Sequence, residues 1–155
     1  MTKKIVVAVL AILGLGAVSR AQDVIIKITG GEKKPSIAVP DFRGAGGSAA
    51  YMSVFNQTLF SDIQDSGLFK MASKSLYPLV VPQQPSDFQQ PGPNSPVKRP
   101  PWLTDWSSPP ANAKYLAFGY GASQSNQIVL SGWLFDVEQA NVASAQLMAK
   151  RWFRL

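Results

Sequence analysis

The stretch SIAVPDFRGAGGSAAYMSVFNQTLFSDIQDSGLFKMA, residues 36–72, decides how this chain folds. Ser36-Ile37-Ala38-Val39-Pro40 is a short apolar run stopped by a proline, which has no N–H to give to a ladder, and it predicts a strand ending at a loop. Asp41-Phe42-Arg43-Gly44-Ala45-Gly46-Gly47 reads as a flexible connector, and Ser48 as the N-cap of a helix. From Ala49 to Asp65, Met52, Phe55, Leu59 and Ile63 recur at helical spacing, widened by Tyr51 and Phe60 into one apolar stripe. Gly67 stands where a left-handed residue would end that helix, and Leu68 to Ala72 predicts the next strand. Strand, helix and strand in that order favour a right-handed crossover between parallel strands.

Downstream the pattern changes. Three strand segments follow one another at Lys114–Gly119, Gln127–Val137 and Leu147–Leu155, joined by a turn at 123–126 and the connection 138–141, which is a meander. The fold class is therefore α+β: a mixed sheet packed by one main amphipathic helix. Between the two halves, residues 78–110 hold ten of the 12 prolines and lack core periodicity over most of their length. They predict an extended, partly mobile surface excursion, with a long Pro/Gln-rich loop at 82–101 and a short second helical turn at 102–106 tucking in Trp102 and Trp106. Trp133 and Trp152 are expected in the β core.

Upstream, Lys3 and Lys4 precede an uncharged, mostly aliphatic run from Ile5 to Ala17, and Ser19-Arg20-Ala21 ends it in small residues. This is the pattern of a cleaved secretory signal over residues 1–21, too short for a comfortable membrane span. The mature chain, 22–155, then has no membrane segment and carries +3 rather than +6, because Lys3, Lys4 and Arg20 leave with no acid. Dispersed lysines at that charge do not make a nucleic-acid footprint. Immediately after the leader, Val24, Ile26 and Ile28 alternate with Asp23, Ile25, Lys27 and Thr29, a strand-like ribbon at the new N-terminus ended by Gly30-Gly31.

The chain has no His and no Cys, which removes Ser-His-Asp and Cys-His catalysis, disulfides, and zinc sites built on nitrogen or sulfur. No cofactor and no metal site is expected. Gly44-Ala45-Gly46-Gly47 lacks the Lys-Ser/Thr of a phosphate loop. Asp62 with Asp65, and Asp136 with Glu138, are the carboxylate pairs a small hydrolase would need, but solvated surface acids are the commoner meaning of such pairs. The reading is non-enzymatic.

Four segments carry a resemblance to a known family. They are Asp23-Val24-Ile25-Ile26-Lys27-Ile28; Ile37-Ala38-Val39-Pro40-Asp41-Phe42 with its Gly/Ala-rich loop; Leu59 to Phe69, a helix ending in Ser66-Gly67-Leu68-Phe69; and Ala113-Lys114-Tyr115-Leu116-Ala117-Phe118-Gly119 followed by Leu134-Phe135-Asp136-Val137. Together they resemble the N-terminal domain of the TolB family, the periplasmic component of the Tol–Pal envelope system. The resemblance covers nearly all of the mature chain. The family adds a further helix and a C-terminal β-propeller that this sequence does not include. RWFRL stops in mid-strand pattern, so the chain reads as truncated at its C-terminal end. The resemblance implies a periplasmic adaptor of envelope integrity, protein import and cell division. It implies a TolA-like partner bound by the mature N-terminal strand, Gln22, Asp23, Val24, Ile25, Ile26, Lys27 and Ile28, and a Pal-like lipoprotein partner only where a propeller is present. The alternative reading is a stand-alone secreted module that holds a glycan or peptide on its aromatic, proline-rich segment.

Overall fold

The computed structural model describes residues 33–95, 99–125 and 127–154. The leader 1–21 and the ribbon Gln22–Ile28 lie outside the described residues. The elements run in the order β1 (Ser36–Ala38), β2 (Arg43–Ala45), a 3-10 turn (Gly46–Tyr51), α1 (Met52–Asp65), β3 (Lys70–Met71), α2 (Leu103–Ser107), β4 (Tyr115–Gln124), β5 (Gln127–Asp136), α3 (Val142–Ala145) and β6 (Gln146–Arg154). They form one mixed six-stranded sheet in the order β3-β1-β4-β5-β6, with β2 also on β4. The α+β expectation holds.

The crossover expected for residues 36–72 is present. β1 and β3 pair in parallel, Ser36 with Lys70 and Ile37 with Met71, and α1 joins them. α1 ends at Gly67, whose φ of 66° is the left-handed conformation that glycine adopts without a Cβ clash. Of its stripe, Met52 is buried and Phe55, Leu59, Phe60 and Ile63 are half-buried, while Val54 on the far side is 70% exposed.

Two details differ from expectation, and both lie in the Gly-rich connector. Arg43-Gly44-Ala45 is a strand, paired in parallel with Tyr120, Gly121 and Ala122 of β4. β1 and β2 therefore sit in tandem along the same side of β4, separated where Pro40 interrupts the ladder. The interruption is repaired by a side chain: Phe42 N–H donates to Asn56 Oδ1, and Asn56 Nδ2 donates to the Phe42 carbonyl. Helical turns begin at Gly46 rather than Ala49, so Ser48 lies inside them. Its buried hydroxyl donates to the Ala45 carbonyl and accepts from Ala45 N–H.

The meander is as expected, with β4 reaching five residues further than anticipated. β4 and β5 pair antiparallel over their full lengths, Tyr115 with Asp136 through Gln124 with Gln127, and β5 and β6 pair from Ile128–Arg154 to Phe135–Gln146 with one register shift. Asn141 caps α3 by accepting from Ser144 N–H.

The larger difference concerns residues 78–110. Residues 89–95 are exposed as expected of an excursion, but Pro82, Phe88, Pro101, Leu103 and Trp106 are buried, and this part of the segment covers one face of the sheet. Successive residues of a strand face opposite sides. On the side of Gly119 and Gly121, added Cβ atoms would strike Phe42 and Met52, so α1 and its approach cover that face. On the other side Leu116, Phe118 and Phe135 meet Phe88, Leu103 and Trp106, all buried in one cluster with Ala38, Ala113, Val137 and Ala145. Phe88 stacks on Phe135 and meets Phe118 edge-on, each at 5.5 Å between centroids. Pro82 is fully buried as well. The physical reason is a shortage of cover: α1 serves only one face, and a sheet face this aromatic has to be shielded from water by something.

Candidate protein-interaction site

The described residues leading into β1 are tied into the sheet. The Pro35 carbonyl accepts from Lys70 N–H, and the Ser36 carbonyl and hydroxyl both accept from Lys114 N–H. β1 is thus occupied on both sides, by β3 and by β4. Among the described residues, no edge of β1 is left open to a further strand. The adjacent sheet edge is β3, only two residues long.

The acids weighed as catalytic pairs lie on α1 and at the end of β5. Asp62 and Asp65 lie exposed on α1. Asp136, at the end of β5, accepts from Glu138 N–H and Gln139 Nε2, and Glu138 lies 3.6 Å from Lys114. The field of Glu138, with Tyr115 next, holds the Lys114 ammonium above its ordinary range. Among the described residues no group of three His, Cys, Asp or Glu could hold a metal. The Gly44–Gly47 segment is consumed by β2 and the 3-10 turn, with Gly44 pressed against Ala49 and Met52.

The expected indole positions are found where side chains are described. Trp106 is fully buried and lies tilted against the Tyr77 ring, 5.5 Å between centroids; its Nε1 has no hydrogen-bond partner. Trp102 packs on the same cluster, and Trp133 stacks on Phe118 and Tyr120. Asp105 organises α2: its carboxylate takes both guanidinium nitrogens of Arg99 and the N–H of Trp102. The hydrogen bond to Asp105 raises the Arg99 pKa. Tyr77 OH donates to the Ala72 carbonyl and accepts from Val39 N–H, and burial pushes the pKa of this hydroxyl up.

One surface feature has no counterpart in the sequence reading. A groove of about 750 Å³ opens between Leu76–Val80 and the turn of α2, walled by Pro101, Pro109 and Pro110, with Leu79 fully exposed at its lip. The run Leu79-Val80-Val81 between Pro78 and Pro82 is the local signal that could have found it. Its two walls are about 25 residues apart, so periodicity could not join them.

No protein-family model matches this chain, and no curated protein matches it. Among solved structures it is similar to the C-terminal domain of LpoB from Escherichia coli, at 11% identity and a TM-score of 0.51, covering 79% of this chain and 83% of that one. It also aligns with TolB from Acinetobacter baumannii, at 18% identity and 0.48, covering 77% of this chain and 23% of that one. The LpoB C-terminal domain from Salmonella enterica aligns at 14% and 0.47, covering 78% and 82%. The first of these is a likeness of fold. Among the described residues no helix is long and apolar enough to cross a membrane.

Proposed function

We propose that this chain is a non-catalytic, periplasmic protein-interaction module of the cell envelope, acting as an adaptor in a Tol–Pal-type system. Its mature N-terminal ribbon, Gln22–Ile28, adds as a strand to the sheet of a TolA-like partner. Strand addition draws affinity from backbone N–H and C=O groups and specificity from alternate side chains. In the ribbon these are Val24, Ile26 and Ile28 against Ile25 and Lys27. The observation that carries the reading is the alternation of Val24, Ile26 and Ile28 ahead of β1, a strand whose two sides are both taken, by β3 and by β4. The secretory pattern of residues 1–21, the four sequence segments resembling the TolB N-terminal domain, and a fold like that of an LpoB domain support the same assignment.

The test is deletion of Gln22–Ile28, with TolA pull-down and circular dichroism in parallel. Binding lost with the spectrum unchanged is the expected result; binding retained at full strength refutes the mechanism. A second reading, a secreted module holding a peptide on its proline-rich layer, is favoured by the groove beside Leu79. It predicts that Leu79→Asp abolishes partner capture while the ribbon deletion does not.

A further inference from the structure

Residues 78–81 form a bow that is held at both ends. At one end Tyr77 lies against the Trp106 ring, and its hydroxyl donates to the Ala72 carbonyl and accepts from Val39 N–H. At the other end Pro82 is fully buried, with Val81 packed on the core beside it. Pro78 and Pro82 also narrow the backbone choices at and just before themselves. With its ends fixed, the bow keeps its crown outside. Leu79 is 99% exposed, and Leu76 and Val80 are 43% and 41% exposed. A lone apolar residue on a surface is ordinary, but three within five residues make a patch.

Beside this knob is a hole. The groove of about 750 Å³ runs from the bow to α2 and Pro109-Pro110, and every residue that lines it is described. Much of its wall is proline, a side chain that loses no rotamer freedom on contact. The charged lining residues are Arg99 and Asp105, and they are closed on each other: the guanidinium gives two nitrogens to the carboxylate, which also accepts from Trp102 N–H. An incoming charge therefore finds no partner there. An acidic or basic peptide, or an anionic lipid surface, would lose hydration at the groove without a compensating ion pair. A leucine carries no such penalty, and the most exposed leucine among the described residues stands at the lip of the groove itself. Knob and hole on one patch are what an isologous contact requires, because a two-fold axis then lets each copy fill the other.

We propose that this chain self-associates through a two-fold contact in which Leu79 of each copy enters the groove of the other, between the bow and α2. The contact goes beyond both functional readings and does not involve the ribbon. The groove lining carries no net charge, so two copies meet there without like-charge repulsion. A contact confined to one groove per copy falls short of the about 800 Å² per partner of a standard interface, so the dimer is weak, half-formed at about 100 µM.

Sedimentation velocity on the mature chain, residues 22–155, from about 10 µM to about 1 mM tests this. The expected result is a concentration-dependent shift from monomer to dimer that added salt does not weaken, since the chain is net positive and the contact apolar. Leu79→Asp should raise the dissociation constant at least about tenfold. Val54→Asp, on the exposed side of α1, should leave it unchanged, and both sites are exposed enough for the circular dichroism spectrum to stay that of the parent. The chain has no Cys, so Leu79→Cys supplies a single thiol, and a short bis-maleimide should link two copies through it but not through Val54→Cys. A monomer throughout that range, equal effects of Leu79→Asp and Val54→Asp, or equal cross-linking at the two thiols overturns the proposal. So does a several-fold gain in association on deleting Gln22–Ile28, which would make the ribbon the occupant of the groove. A monomer that nevertheless loses a foreign peptide on Leu79→Asp overturns it in favour of that peptide.

Discussion

Phe88 is where the layered reading of the proline-rich segment can be put at risk. The residue sits in a stretch whose composition reads as a surface loop, yet it is only 6% exposed and lies between Phe118 and Phe135. Burying a phenylalanine removes about 200 Å² from water, worth about 5 kcal/mol at 25 cal/mol per Å². That area is an upper bound because the unfolded chain already hides part of it. Core Phe→Ala changes cost about 3–5 kcal/mol, so Phe88→Ala should lose about 4. With a urea slope of about 2 kcal/mol per molar, the midpoint should fall by about 2 M. Leu79→Ala is the internal control. It lies nine residues upstream in the same segment but is 99% exposed, and it should shift stability by less than about 0.5 kcal/mol. Urea titration followed by tryptophan emission and far-UV circular dichroism measures both. If Phe88→Ala moves the midpoint no further than Leu79→Ala, residues 78–110 are not a core layer and the account of the second sheet face is wrong.

Three other outcomes follow from the packing. Gly119→Ala would place a Cβ 2.1 Å from the Ser131 carbonyl oxygen and 2.5 Å from the Phe42 ring. The carbonyl belongs to the strand paired with β4 and cannot yield, so a loss above about 3 kcal/mol is expected; a thermal midpoint within a few degrees of the parent contradicts it. Tyr77→Phe removes the bonds to the Ala72 carbonyl and from Val39 N–H, at about 1–3 kcal/mol. Because burial raises the Tyr77 pKa above 10.0, the folded state favours its protonated form. That contribution is complete below pH 10.0 and is lost as pH rises through the raised value. Urea midpoints between pH 8 and 11 should therefore fall less steeply in Tyr77→Phe than in the parent. Asp105→Ala, which strips Trp102 N–H and Arg99 of their acceptor, should cost about 1–2 kcal/mol. Arg99→Ala should cost less than about 1, since its side chain keeps partial access to water. The reverse ranking would show that the ion pair, not the cap, stabilises α2.

Much of this architecture was legible because its elements are regular. The stripe through Met52, Phe55, Leu59 and Ile63 and the alternation in β4 and β5 announce themselves, since a buried face imposes its period on the residues that fill it. β2 was illegible for the opposite reason. Arg43-Gly44-Ala45 has no strand-like composition, and it is a strand because a bare Gly44 lets Ala49 and Met52 press close. The proline-rich layer was hidden because its core residues, Phe88, Leu103 and Trp106, come from turns and one short helix, where no period links one buried position to the next. The ribbon Gln22–Ile28 was visible as alternation. That β1 is claimed from both sides by segments far along the chain was not visible.

The placement of β1 also governs the order in which the molecule can assemble. Ile37 pairs with Tyr115, across 78 residues, while β4, β5 and β6 meet through short connections. Closing so long a loop is entropically slow, and it yields only a three-residue strand in return. The C-terminal hairpins should accordingly form early and stand as a template, and β1 should slot beside β4 late, bringing α1 with it. Until that last insertion the side of β4 that will receive β1 and β2 stays open, a margin that the finished sheet no longer offers.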